Sequence, residues 1–151
     1  MTRLSPHFTL SELTKSQTAI RLGIQNVPNG CQVKNLERLA RKILEPVRKH
    51  FGRPFSPSSG FRCFSLNAKI GSKSNSQHTT GEAVDFEIPG IPNLAVAEWI
   101  RDKLDFDQLI LEFFDPEEGD NSGWIHVSLK KKDNRNQVLT INSNGTQIGF
   151  P

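Results

Sequence analysis

The stretch Ser76-Gln-His78-Thr-Thr-Gly81-Glu-Ala83-Val-Asp85-Phe-Glu-Ile88 decides how this chain is read. Its second half, from Ala83 to Ile88, alternates apolar and polar residues with the period of a half-buried strand. Its first half is polar and sets His78 one glycine-containing turn ahead of Asp85, so a loop returning as a strand can bring both to one point. Downstream, Trp124-Ile-His126-Val-Ser128 is a second alternating segment. There Ile125 and Val127 face a core, while Trp124 and His126 share the other face. Two imidazoles and one carboxylate are a common three-ligand set for catalytic zinc, which leaves a fourth position for water. On the residues alone His126 reads equally well as a buried, hydrogen-bonded strand histidine. Asp85 tips the balance: between Val84 and Phe86 even a neutral unpaired polar group costs on the order of 2–7 kcal/mol, so a carboxylate there needs a metal or a donor.

Working outward, Thr9 and Glu12 in Phe8-Thr-Leu-Ser-Glu-Leu13 have capping-box spacing and predict a helix entry. From Asn35 to His50, Leu36, Leu39, Ala40, Ile43, Leu44 and Val47 follow the helical stripe, with Arg38, Arg41, Lys42 and Arg48 off it. Pro46 should bend this helix or mark its last turn, and Gly52 should end it. Phe55 to Arg62 reads as a short strand leading into a loop, and residues 65–80 as an exposed polar segment lying over a site. Asn93 can cap a second helix with Val96, Trp99, Ile100 and Leu104 on one face. Strands are expected at Gln108–Phe114, Trp124–Leu129 and Gln137–Ile141, the first two joined as a hairpin by the polar insert 115–123. Helices first and an antiparallel meander later give an α+β fold.

The 151 residues suit one domain, 1–151, with 35% hydrophobic and 23% charged residues and no low-complexity tract, which excludes a disordered or collagen-like chain. A net charge of +3 is too small to drive nucleic-acid binding, so a virion structural or nucleic-acid-binding role is the weakest reading and no nucleic-acid partner is expected. No apolar run is long enough for a transmembrane segment, and the start of the chain has no signal-peptide pattern, so cytoplasmic synthesis is expected. Cys31 and Cys63 read as two reduced thiols, with a late disulfide still open should the protein work outside the cytoplasm. His7 and His50 are expected to face solvent, and Lys130-Lys-Lys132 to be a solvated strand end.

Taken in order, Ser59-Gly-Phe-Arg62, Leu66-Asn67, Ser76-x-His78-x-x-Gly81-x-Ala83-x-Asp85 and Trp124-x-His126 resemble the zinc D-alanyl-D-alanine carboxypeptidase family. Its relatives include phage endolysins, D,D-dipeptidases and the hedgehog-type fold. Phe8-Thr-Leu-Ser-Glu-Leu13, Ala19 and Asn26-Val-Pro28 are similar to the phage branch. The resemblance runs from about residue 8 to 130 and implies helices packed on a small antiparallel sheet. It also implies His78, Asp85 and His126 as ligands of one zinc ion, Arg62 at the substrate in catalysis and binding, and Ser76 as a substrate contact. Members commonly carry the general base as an acid three positions before the third ligand or a histidine two before it, but Gly123 and Trp124 stand there. The phage-like pattern Asp107-Gln-Leu-Ile-Leu-Glu112 implies Glu112 instead, facing His126 across a hairpin. Glu118 and Asp120 are competitors, better read as solvated loop charges.

The activity so implied is hydrolysis of a peptidoglycan stem-peptide amide, of D-Ala–D-Ala carboxypeptidase or L-Ala–D-Glu endopeptidase type. The protein would be a monomeric endolysin acting at the bacterial cell wall after release. The alternative is a non-hydrolytic zinc-binding module of the same fold, kept open by the long gap between Glu112 and His126.

Overall fold

A computed structural model describes residues 2–119 and 121–151. The chain opens with a small hairpin, β1 (Arg3–Ser5) and β2 (Phe8–Thr9), followed by two short helices, α1 (Leu10–Thr14) and α2 (Gln17–Leu22). The capping box predicted at Thr9 and Glu12 is present, each side chain satisfying a backbone N–H at the mouth of α1. The hairpin ahead of it carries no strand signal beyond two or three residues.

Helix α3 (Gly30–Leu39) begins five residues before the expected start at Asn35, because Asn29 and Gln32 form a second capping box. It continues through one π turn, Ala40–Leu44, into α4 (Glu45–Phe51). Pro46 accounts for the π turn. A proline inside an α-helix offers no N–H and presses its ring on the carbonyl four residues back, here that of Lys42. Widening the turn just before it, with the Glu45 N–H bonded to the Ala40 carbonyl, relieves that crowding. Pro46 therefore does not end the helix, which runs on to Gly52 in the left-handed conformation.

Residues 55–62 do not form the expected strand; they make a single antiparallel bridge, Ser59 to Asp85. Nor is 65–80 merely an exposed cover. It holds α5 (Phe64–Ile70), with Leu66 and Asn67 buried, and a 3-10 helix, Gln77–Thr80, with His78 and Thr79 buried. Helix α6 (Asn93–Lys103) starts after Pro92, and Asn93 is not its cap. Its buried side chain turns back instead, donating to Glu87 and to the carbonyls of Asn121, Ser122 and Gly123.

Five strands form the main sheet in the order β3 (Ala83–Phe86), β5 (Trp124–Ser128), β4 (Gln108–Glu112), β6 (Gln137–Asn142), β7 (Gly145–Ile148). The architecture is α+β as expected, but the sheet is not a pure meander: β4 and β6 run parallel, and β7 is an added edge. The inner face supplies Val84, Phe86, Leu109, Leu111, Ile125 and Val127 to one apolar core with Leu36, Leu39, Ile43, Leu44 and Val47 of the long helix and Val96, Ala97 and Ile100 of α6. The other face carries the polar residues. No helix among the described residues is long and apolar enough to cross a membrane, and Cys31 and Cys63 are not bridged.

Candidate metal centre

Strand register places two of the three candidate ligands. Asp85 on β3 is directly opposite His126 on β5, both on the polar face. His78 arrives on the 3-10 helix, whose first N–H groups are met by Ser76: its hydroxyl accepts from the His78 N–H at 3.3 Å. The three side chains converge, His78 Nε2 lying 3.3 Å and His126 Nδ1 2.9 Å from Asp85 Oδ1. One ligand atom from each residue lies within 4.8 Å of the others.

This donor set fits zinc. Two ligand atoms held about 2.0–2.1 Å from an ion at a tetrahedral angle lie roughly 3.3–3.4 Å apart, close to the His78–Asp85 separation. The His78 Nδ1 is 2.7 Å from the Gly60 carbonyl oxygen, which can only accept, so Nδ1 carries the proton and Nε2 presents a bare lone pair. Burial alone would push the Asp85 carboxyl up, but the hydrogen bond from His126 Nδ1 outweighs this and holds it well below the usual carboxylate range. It is an anion at neutral pH.

The segment Ser58–Arg62 explains itself here. The Ser59 carbonyl accepts from the Asp85 N–H at 2.8 Å, the Gly60 carbonyl holds the His78 ring, and the Arg62 N–H donates to the His78 carbonyl at 3.0 Å. One extended strip thus ties two ligand-bearing elements together. It passes so close to α1 that a Cβ on Gly60 would collide with the Leu13 carbonyl, so only glycine fits. Asn26 anchors the end of the strip, donating to the Thr14 and Phe61 carbonyls at 2.9 and 2.8 Å and accepting from the Cys63 N–H at 2.7 Å.

Glu112 is on the same face, but the register corrects its expected partner. It sits opposite Trp124, with Ile110 opposite His126, so Glu112 is the diagonal neighbour of His126. The Trp124 Nε1 donates to Glu112 Oε2 at 2.7 Å, which fixes the carboxylate. Burial raises the Glu112 carboxyl above the ordinary glutamate value; the Asp85 charge adds to this, while His126, the Trp124 hydrogen bond and His78 oppose it. Arg62 is near enough to feel the charges of both Asp85 and Glu112, yet burial dominates and lowers its pKa, and its Nε is buried without a partner. A cavity of about 370 Å³ beside it is lined by Arg62, Asp85, Ser58, Ser59 and Lys15 among others. Of the competing acids, Glu118 is exposed in the loop after β4 and Asp120 lies outside the described residues.

Two residues whose backbone conformation the sequence did not reveal shape this corner. Phe113 has φ 54°, a conformation bulky residues avoid, and its exposed ring packs on Trp124 with centroids 5.2 Å apart. Gly123, at φ 68°, faces it so closely that a Cβ would collide with the Glu112 carbonyl. That explains why no acid occupies the position three before His126 in this chain. Gly123→Ala is expected to cost on the order of 1–3 kcal/mol from backbone strain alone and to displace Glu112. Its thermal midpoint should fall, and its zinc content should stay near that of the parent.

A family model described as Peptidase M15 matches residues 6–128, which span all the residues of this centre. Comparison with curated proteins gives no match.

Proposed function

Because the chain belongs to the peptidase M15 family and is thus a metallopeptidase, we propose that it hydrolyses an amide bond in bacterial peptidoglycan stem peptides. The observation that carries this is the convergence of His78, Asp85 and His126 within 4.8 Å, beside the half-buried Glu112 and Arg62. In this reading the three residues hold one zinc ion, and the chain works as a single domain and a monomer. A zinc ion held there supplies Lewis acidity, polarising the scissile carbonyl and lowering the pKa of water from about 15.7 towards 7.

The protein's own groups do the rest. Glu112, kept in place by the Trp124 indole N–H, takes the proton of the attacking water and passes it to the leaving amine. Its raised pKa makes it a better proton acceptor than an exposed glutamate. Arg62 has an unpaired buried Nε and a planar fork of donors, which suit a peptide carboxylate or the developing oxyanion. Ser76 contributes a substrate contact only as far as its capping hydrogen bond to His78 allows. The finer reading is an endolysin of D-Ala–D-Ala carboxypeptidase or L-Ala–D-Glu endopeptidase type, acting at the cell wall after release.

Purified peptidoglycan digested with the protein, with and without a chelator, is the test. Mass analysis should show peptide fragments with one new amine and one new carboxylate per cut, absent under chelation and restored by zinc. Fragments that persist under chelation, or glycan cuts in place of peptide cuts, overturn the proposal.

A further inference from the structure

Asp107 is the most buried charge of the described residues that the mechanism does not use. Its side chain is 0% exposed. The carboxylate accepts from the Arg135 backbone N–H and Nε, both at 3.0 Å, from Arg135 Nη2 at 2.7 Å and from Gln77 Nε2 at 2.9 Å. Its backbone is clamped as well: its N–H donates to the Ser128 carbonyl at 2.8 Å, and its carbonyl accepts from the Gln137 N–H at 2.9 Å. Asp107 is thus a fixed anchor at the start of β4, between β5 and β6.

Among the described residues, the one hydrogen-bond donor to that carboxylate from outside Arg135 is Gln77, the first residue of the 3-10 helix that carries His78, with the Lys130 ammonium a more distant charge at 3.8 Å. A 3-10 helix of four residues has poor internal hydrogen bonds and little stability of its own. Something outside must hold it at a set height above the sheet. The Gly60 carbonyl fixes the orientation of the His78 ring, Gln32 and Asn35 of α3 hold the far end of the helix by donating to the Thr79 and Thr80 carbonyls, and the Gln77–Asp107 bond ties its start to the sheet. Arg135 makes that bond possible, because its fork neutralises a carboxylate that burial would otherwise penalise. With the Arg135 fork and Gln77 both in place, Asp107 is tied up by this chain's own donors. The direction of its pKa agrees: hydrogen bonding to Arg135 holds the carboxyl down at about 2, against the pull of burial.

We infer that Asp107, braced by Arg135 and reaching His78 through Gln77, is a positioning residue for the metal centre. Resting on the zinc reading above, the inference adds that the C-terminal part of the chain, beyond the residues matched by the family model, sets the geometry of a ligand it never touches. Groups bonded directly to a metal ligand are worth about 10–100-fold in metal affinity; acting one residue removed from His78, Gln77 is expected at the lower end.

The test uses the full-length protein and two readouts independent of turnover: zinc affinity by chelator competition, and the visible absorption of the protein loaded with cobalt(II), whose bands follow ligand geometry. Gln77→Leu keeps the volume and removes only the bond to Asp107, so zinc should bind about tenfold more weakly and the cobalt bands should shift. Its metal-free thermal midpoint should move little. Arg135→Lys keeps the charge without the fork and should weaken zinc in the same direction. The double variant should be no weaker than the product of the singles and closer to the worse of the two, as expected of residues acting through one path. Variants that lose thermal stability but keep the parent's zinc affinity and cobalt spectrum overturn the inference and leave the peptidase reading standing. A parent protein that takes up neither ion overturns both. Altered cobalt bands in a protein that cuts no peptidoglycan would support the positioning role and count against the peptidase.

Discussion

Asp85→Ala is expected to strip the protein of zinc and of activity together. Zinc sites of four protein ligands bind with roughly 10–16 kcal/mol, so one ligand is worth about 2.5–4 kcal/mol, on the order of a hundredfold or more in affinity. Asp85 is the member of the set with most to lose. Its Oδ1 lies 3.3 Å from His78 Nε2 and 2.9 Å from His126 Nδ1, and it supplies the negative charge that a dication needs. Its removal also leaves two histidine rings 5.2 Å apart with nothing between them. His78→Ala and His126→Ala should behave alike, with metal content measured on the purified protein and activity on peptidoglycan. Any of the three variants that keeps both zinc and full turnover removes that residue from the ligand set.

Glu112→Gln should separate binding from chemistry. The substitution preserves shape and leaves an oxygen for the Trp124 indole N–H, so zinc content should equal that of the parent. Turnover should fall by about 10²–10⁴-fold, the usual contribution of a general base. The pH profile adds a second check. A base must be ionised, so activity of the parent falls as pH drops through the Glu112 pKa, which burial places above the ordinary glutamate value. The residual activity of the glutamine variant should lack that acid limb. A fully active Glu112→Gln protein would pass the role to Glu118 or Asp120.

Much of this centre was legible because its chemistry is written in short-range patterns. The alternation in Ala83–Ile88 and Trp124–Ser128 is enough to put Asp85 and His126 on one face, and the structure places them directly opposite one another. Thr9 and Glu12 carry their cap within four residues. What could not be read depends on partners far along the chain. Ser59–Arg62 looks like a strand because its role, bridging His78 and Asp85, shows only when both are folded against it. Asn93 has the composition of a cap, yet loop carbonyls some thirty residues away compete for its amide and win. The parallel pairing of β4 with β6 has no local signature, and neither has the β4–β5 register that sets Glu112 opposite Trp124 rather than His126. Asp107 stood within a recognisable string, but its meaning depends on Arg135 and Gln77, twenty-eight residues later and thirty earlier.

The two left-handed residues at the neck of the β4–β5 loop, Phe113 and Gly123, have a practical consequence. They pin both ends of the loop, while Glu112 and His126 take their positions from paired strands. The tip around Pro116–Glu118 is exposed, and exposed tips of this kind tolerate added chain. It is the natural port for grafting: an affinity tag, a fluorophore-bearing peptide or a targeting module spliced in there would ride on the enzyme without disturbing its working parts.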